Sequence, residues 1–190
     1  MEMDSSFLHF LCFGNPPFSL SFATMIQIRK ALLEELPIVR DIAHKTWPDT
    51  FAGILSPPQI EYMLKLMYDL KMLESQLLEK GQVFLLAEEE GDFLGFAAYE
   101  LNYSEREKAK LHKIYVLPSA QGKGLGKKLI IEVSDQAKAK GQKSLLLNVN
   151  KFNQPAIDFY AYLGFKEAYR EVIDIGNGYV MDDVVMELIL

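Results

Sequence analysis

The chain has 190 residues, 49% of them hydrophobic and 24% charged, a balance that fits one compact domain with a well-populated core. Its formal net charge of -6 disfavours an extended nucleic-acid surface and mildly favours a cationic substrate. Cys12 is the single cysteine, which excludes an intrachain disulfide, and no Cys and His residues have metal-ligand spacing. We therefore expect a cytoplasmic protein that binds neither nucleic acid nor a metal.

Residues 1–24 differ in character from the rest of the chain. Their apolar run at 7–13 follows Glu2 and Asp4 and no Lys or Arg, and a Gly-Asn-Pro-Pro sequence ends the run too early for a membrane span. We expect no membrane partner. The prediction is an extension at 1–24 that the chemistry does not need, and a functional domain at 25–190.

The first half of the domain is predicted to hold one strand, three helical segments and a hairpin. Apolar residues recur every three or four positions in the helical segments. Ser56 followed by two prolines is typical of a helix N-cap, and the hairpin turns at Gly91. In chain order these elements are a strand at 25–29, helices at 33–45, from Ser56 and at 70–80, and strands at 83–87 and 93–103.

The second half of the domain alternates strands and helices. The predicted elements are a strand at 111–117, a helix at 124–140, a strand at 144–149, a helix at 155–163, and strands at 165–175 and 181–190. A strand–helix–strand unit implies a parallel crossover, whereas hairpins are antiparallel. The expected fold class is therefore α/β, with one mixed sheet and helices on both faces.

The loop before the second-half helix is rich in glycine and reads QGKGLGKK from Gln121. A phosphate at this position would meet the unpaired N–H groups of a helix start. A P-loop would need glycine at 121 and Ser or Thr at 128, and the dinucleotide fingerprint would need glycine at 127; the chain has Gln121, Lys128 and Lys127. The pattern that remains is Q-x-x-G-x-G followed by a helix.

This loop resembles the pyrophosphate loop of the GNAT superfamily of acyl-CoA-dependent N-acyltransferases. A second signature of that family, N-x-x-A-x-x-F-Y-x-x-x-G-F, is filled at every position from Asn153 onward. The resemblance is dense over 111–165 and looser over 25–110, and the whole is most similar to bacterial spermidine/spermine N-acetyltransferases. It implies a sheet whose parallel central strands splay apart.

The resemblance also implies a binding site for acetyl-CoA as the acyl donor. Main-chain groups of the strand before the loop would bind the pantetheine arm as an added strand, and N–H groups of the loop would bind the pyrophosphate. Asn153 and Phe159 would contact the pantetheine. The expected donor-binding residues are Ile114, Tyr115, Val116, Gln121, Gly122, Lys123, Gly124, Leu125, Gly126, Lys127, Asn153 and Phe159.

Tyr160 corresponds to the tyrosine that lies near the thioester sulfur in many members of the family. A phenol with a reference pKa near 10 is protonated at pH 7, so it can donate a proton to the departing thiolate. We prefer Tyr160 over Tyr162 for this role. Direct transfer is expected, with no metal and no covalent enzyme intermediate.

The attacking amine must be neutral, and this requirement calls for a base. His112 is the first candidate because its reference pKa near 6.5 suits proton acceptance at neutral pH, and His44 is the second. Trp47 and Phe51, in a predicted link between two helices, are candidate walls of the acceptor site. The adjacent acids at 182 and 183 are candidates for attracting a cation.

The predicted function is transfer of an acetyl group from acetyl-CoA to a primary amine of a small molecule, polyamine-like or amino-acid-like. Acylation of a protein or peptide is one alternative, and it would require an open groove. A non-catalytic acyl-CoA sensor is another, which the presence of Tyr160 disfavours. A third is an interaction protein whose glycine loop is only a turn. The pattern names neither the acceptor nor the oligomeric state, although dimers are frequent in this family.

Overall fold

A computed structural model describes residues 25–190, which form one seven-stranded sheet flanked by helices. The predicted extension at 1–24, including Cys12, lies outside the described residues. The strands are β1 Gln27–Lys30, β2 Val83–Glu89, β3 Asp92–Glu100, β4 Lys108–Val116, β5 Ser144–Asn150, β6 Lys166–Gly176 and β7 Tyr179–Ile189. The helices are α1 Leu36–Thr50, α2 Pro57–Tyr68, α3 Leu70–Leu78, α4 Leu125–Ala139 and α5 Gln154–Tyr162.

The sheet has the order β1-β2-β3-β4-β5-β7-β6 and is mixed, as predicted. Only β4 and β5 are parallel, because they are joined by the crossover helix α4. Their pairing covers Lys108 to Leu111 against Ser144 to Leu147 and stops there, although both strands continue. The two central strands therefore splay apart, which confirms the expected fold.

A β-bulge in β4 coincides with the start of this splay. Tyr99 of β3 pairs with Leu111, but Ala98 pairs with Lys113, so His112 has no opposite residue. A bulge bends a strand and increases its local twist. The bulge at His112 thus accounts for the departure of β4 from β5 one residue after their last pair.

Two apolar cores cover the two faces of the sheet. On one face, α4 and α5 pack on strand residues such as Leu85 and Leu145. On the other face, α1, α2 and α3 pack on residues such as Phe84 and Phe96. The prediction of helices on both faces is confirmed, and the splay between β4 and β5 opens toward both layers.

The predicted link between the first two helices is corrected by the structure. Helix α1 continues through Pro48 to Thr50, so Trp47 lies in its last turn and Phe51 at its C-terminus. Trp47 is 2% exposed and packs with Phe51 at a ring-centroid distance of 4.7 Å. Burial of this pair outweighs the hydrogen bond that proline removes from the helix. Within residues 25–190 no helix is both long and apolar enough to cross a membrane.

Candidate active site

The splay between β4 and β5 forms a cleft of about 220 Å³. It brings together residues from α1, β4, the glycine loop and α5, which are far apart in the chain. The sequence-predicted residues that line the cleft are Phe51, His112, Ile114, Tyr115, Val116, Gln121, Asn153 and Tyr160. Of the remaining predicted residues, Trp47 lines a neighbouring cavity, His44 lies in a separate groove, and the others belong to the glycine loop and to α5.

Main-chain groups of β4 are available on the side facing the cleft. Leu117 donates its N–H to the carbonyl of Leu94 at 2.8 Å, so the main-chain groups of Leu117 point toward β3. Because strand residues alternate in direction, the main-chain groups of Ile114 and Val116 face the cleft, whereas those of Tyr115 face β3. Val116 already accepts a hydrogen bond from the side-chain amide of Gln121 at 3.3 Å.

The glycine loop leaves the start of α4 without a side-chain cap. Gly122 and Gly124 have φ values of 77° and 73°, a left-handed conformation that favours glycine. The first helical hydrogen bond runs from the N–H of Lys128 to the carbonyl of Gly124, so the preceding N–H groups have no intrahelical partner. This arrangement fits the pyrophosphate of a nucleotide donor.

The other predicted loop residues divide between the surface and the core. Lys123 and Lys127 are exposed, and the ammonium of Lys127 lies 5.8 Å from the ring centroid of Tyr162. The side chain of Leu125 is buried in the core under α4. At Gly126 a Cβ atom would lie 3.5 Å from the ring of Phe159, so Phe159 packs against the start of α4 and does not line the cleft.

Helix α5 places two predicted polar groups on the cleft. Asn153 is its N-cap, and the side-chain oxygen accepts from the N–H of Ala156 at 3.2 Å, which leaves the amide N–H groups for a ligand. Burial raises the pKa of Tyr160 to about 12, so the phenol remains protonated at neutral pH. Tyr162, the rejected alternative, is 77% exposed and lies outside the cleft.

His112 lies at the bulge, where Nε2 is 2.9 Å from a carboxylate oxygen of Glu100. Burial, followed by the charges of Lys113, Lys110 and Lys80, lowers the pKa of His112 to about 3. The imidazole is therefore neutral at pH 7, and the pKa near 6.5 that favoured His112 as the base does not apply in the folded protein. A carboxylate only accepts hydrogen bonds, so Nε2 carries the proton and Nδ1 keeps its lone pair. His44 is exposed in a groove along α1 and does not line the cleft.

A second cavity, of about 130 Å³, lies on the α1 side of the splay, and we call it the inner cavity. It shares Phe51, His112, Lys113 and Tyr115 with the cleft, so the two spaces adjoin. Trp47 lines only the inner cavity, with ring centroids 5.6 Å from Tyr68 and 5.9 Å from Tyr115. Aromatic rings therefore form one part of the wall of the inner cavity.

Polar side chains complete the wall of the inner cavity. Asp183, which is 4% exposed, accepts from Asn148 Nδ2 at 3.2 Å, and the same amide donates to Glu171 at 2.6 Å. Burial raises the pKa of Asp183, and the neighbouring charge of Glu171 raises it further. Lys110 donates to the side-chain oxygen of Asn148.

Among residues 25–190 no cluster of His, Cys, Asp or Glu could hold a metal ion.

Sequence reasoning missed three polar residues that line both spaces, Lys113, Asn148 and Asn150. Lys113 and Asn148 each interrupt an apolar strand run, LHKIYVL for Lys113 and LLLNVN for Asn148. A charged or amide side chain within such a run is the signal that could have identified them, because buried polar groups need a partner. Asp183 was a candidate only as one of two adjacent acids.

Comparisons with known proteins agree with this geometry. Residues 39–165 match the model of the Acetyltransferase (GNAT) family. Spermidine N(1)-acetyltransferase of Thermoplasma acidophilum is 30% identical over 145 residues, which are 74% of this chain and 88% of that protein. L-amino acid N-acyltransferase MnaT of Escherichia coli is 31% identical over 87 residues, 45% of this chain and 51% of that protein. PaiA N-acetyltransferase of T. acidophilum, solved in complex with coenzyme A, superimposes with a TM-score of 0.73 at 28% identity, covering 87% of this chain and 99% of that one.

Proposed function

The chain belongs to the GNAT acetyltransferase family and is an acetyl-CoA-dependent N-acetyltransferase, and on this premise we propose that its acceptor is a primary amine of a small molecule, polyamine-like or amino-acid-like. The junction of the cleft with the inner cavity carries this proposal. A donor in the cleft would present its acetyl group at the splay, and an acceptor in the inner cavity would meet it there.

The inner cavity suits a small cationic acceptor. Its volume of about 130 Å³ lies below the range of about 300–1,000 Å³ that is typical for drug-sized ligands, so a peptide chain would not be enclosed. Trp47, Phe51 and Tyr115 offer aromatic faces to an ammonium or an alkyl chain. Asp183 adds a carboxylate. The spermidine and amino-acid acetylating relatives support the two acceptor classes.

Residues around the cleft would hold the donor. Acetyl-CoA supplies a thioester, whose carbonyl carbon accepts the lone pair of an amine and whose thiolate leaves. We assign the pantetheine to the free main-chain groups of Ile114 and Val116 and to Asn153. The pyrophosphate is assigned to the uncapped start of α4, because its unpaired N–H groups and the helix dipole favour an anion.

Two side chains are assigned to proton transfer. The phenol of Tyr160, which lines the cleft and is protonated, would donate to the leaving sulfur. His112 would accept a hydrogen bond at Nδ1 from the attacking amine or from the water that takes its proton, because Nε2 is held by Glu100 and a pKa of about 3 makes the imidazole a weak proton acceptor. His112 lines both the cleft and the inner cavity, as a residue between donor and acceptor must.

Release of the CoA thiol tests this proposal against a panel of polyamines, amino acids, arylalkylamines and peptides. Calorimetry with CoA alone provides the control for donor binding. We expect CoA to bind and at least one class of small amine to be acetylated faster than any peptide. Acetylation of peptides in preference to every small amine would contradict the assignment of the inner cavity.

A further inference from the structure

Lys113 is a cation in the wall of the inner cavity. It follows the bulge in β4 and lines both the cleft and the inner cavity. Its ammonium donates to the side-chain oxygen of Gln76 at 2.9 Å and lies 5.6 Å from the ring centroid of Tyr68. Burial and the nearby charge of Lys80 lower the pKa of Lys113 to about 8, so it is still mostly charged at pH 7.

This ammonium has no carboxylate partner among residues 25–190. Two other partly buried lysines have one: Lys108 forms an ion pair with Glu187 at 2.8 Å, and Lys151 forms one with Asp182. Buried charges are normally paired because removal from water is costly. An ammonium has three donors and Gln76 accepts from one, so donors remain for an anion in the inner cavity.

Resting on the proposed function, we propose that the acceptor amine belongs to a molecule that also carries a carboxylate, which Lys113 binds in the inner cavity. Lys113 is then a specificity-determining residue that selects amino-acid-like acceptors over polyamines. The carboxylate would occupy the free donors of the ammonium and form the ion pair that no carboxylate of residues 25–190 forms with Lys113.

The inner cavity has opposite charges on its two sides, which agrees with a zwitterionic acceptor. Asp183 projects from β7, Lys113 from β4, and β5 lies between these strands. An amino acid can direct its ammonium toward Asp183 and its carboxylate toward Lys113. A polyamine of similar size would place a second ammonium near Lys113, where like charges repel.

Matched substrate pairs test this inference directly. We would measure kcat and KM by CoA-thiol release for ornithine and putrescine, lysine and cadaverine, and phenylalanine and phenethylamine, which differ only in the carboxylate. The acetylated product would be identified by mass spectrometry. In the parent protein we expect the amino acid of at least one pair to exceed its decarboxylated partner in kcat/KM by about 10- to 100-fold, the range for a hydrogen bond to a charged group.

The variant Lys113→Met should reduce this ratio about tenfold or more, mainly through the KM of the amino acid. Lys113→Arg, which keeps a cation, should retain most of the preference. Circular dichroism and thermal unfolding would verify that each variant is folded. The comparison of substrate pairs in the parent protein needs no variant and tests the inference even if Lys113→Met does not fold.

Two results would overturn the inference while leaving the proposed function intact. One is equal or faster acetylation of the decarboxylated partner in every pair. The other is a Lys113→Met variant that lowers kcat/KM for both members of a pair by the same factor, which would assign Lys113 a structural or donor-side role. Inactivity toward every small amine, with peptides acetylated, would instead refute the proposed function, and the inference would be refuted with it.

Discussion

Tyr160 and Tyr162 lie two positions apart in α5 and have opposite surroundings. Tyr160 lines the cleft and packs against Phe159 and Phe165, with ring centroids 5.5 Å and 5.8 Å away. Tyr162 is 77% exposed. Helical geometry alone separates two such positions by about 200° around the axis, so only one of them can face the sheet. The preference for Tyr160 thus agrees with its placement, and its role as the acid remains a prediction.

Replacement of Tyr160 by phenylalanine removes the proton donor and keeps the ring. We expect kcat to fall about 100-fold, within the range of general acid catalysis, with CoA affinity nearly unchanged. Tyr162→Phe is the matched control and should keep parental activity. Stopped-flow measurement of thiol release gives kcat, and calorimetry gives the affinity. Full turnover by Tyr160→Phe would exclude this phenol as the acid.

His112→Gln tests the assignment of the base. Glutamine cannot reproduce the position of the Nδ1 lone pair, so we expect kcat to fall about tenfold, the effect of one lost hydrogen bond. His44→Gln, on the exposed side of α1, should leave kcat unchanged. Because the pKa of His112 is lowered to about 3, activity of the parent protein should show no inflection near pH 6.5 from this residue. An unchanged kcat in His112→Gln would show that Nδ1 of His112 takes no part in proton transfer.

Lys113→Met has a predicted effect on stability that is separate from its effect on substrate choice. The pKa of Lys113 is about 8 in the folded protein, against an ordinary value of 10.5. Below about pH 8 the lysine is protonated in the folded and in the unfolded protein, so the full cost of burying the ammonium lowers the free energy of unfolding. Between the two pKa values the unfolded chain binds more protons than the folded one, so the free energy of unfolding rises with pH. Lys113→Met should therefore be more stable than the parent at pH 7, by about 1–3 kcal/mol.

This advantage of Lys113→Met should decrease as the pH rises from 8 through 10.5, because above 10.5 the lysine is mostly neutral in both states. Urea unfolding at pH 7 and at pH 10 measures both free energies. Lys108→Met is the contrasting variant, because it removes an ion pair with Glu187 and should not stabilise the protein. Destabilisation by Lys113→Met at pH 7 would show that the contacts of the ammonium with Gln76 and Tyr68 outweigh the cost of its burial.

The glycine loop and α4 act together as an element, because the loop conformation determines where the first helical N–H groups point. Gly124 is the N-cap residue of α4 and has a φ of 73°. A side chain would meet no atom within 4 Å at this position, so the cost of adding one comes from the backbone conformation alone. Gly53, which lies outside the cleft, has a similar backbone conformation, with a φ of 75°, and an added Cβ atom would likewise meet no atom within 4 Å.

Gly124→Ala and Gly53→Ala should therefore each lower the free energy of unfolding by about 1 kcal/mol. Only Gly124→Ala should weaken CoA binding, by about tenfold, because relaxation of the strain would reorient the N–H groups of the loop. Denaturant unfolding and calorimetry separate the two effects. Equal CoA affinity in both variants would contradict the assignment of the pyrophosphate to this loop.

Strand β4 shows which features of an element a sequence pattern cannot reveal. Its apolar run and the proline after it predict a strand that ends near residue 117, and the structure agrees. The bulge at His112 depends on the register with β3, and no local pattern records that register. For the same reason the sequence could not show that Ile114 and Val116, but not Tyr115, turn their main-chain groups to the cleft.

The residues of the cleft and inner cavity are spread over the whole described chain, from Trp47 to Asp183. The first described strand, β1, begins at Gln27, after the predicted extension. We expect a protein that starts at Met25 to keep kcat/KM within about twofold, a difference of about 0.4 kcal/mol. Steady-state kinetics of both proteins measures this, and a loss above tenfold would assign residues 1–24 a part in the site.

The order and type of the elements, the glycine loop and the signature around Tyr160 were determined by the sequence alone, because periodicity, turn residues and short motifs are local properties. The donor was therefore predictable. The walls of the inner cavity were decided only by the tertiary structure, because Trp47, Lys113 and Asp183 come from three elements whose closeness depends on long-range packing and on the splay of β4 from β5. The tertiary structure also shows that the buried ammonium of Lys113 has no carboxylate partner among residues 25–190, which indicates an acceptor that carries one.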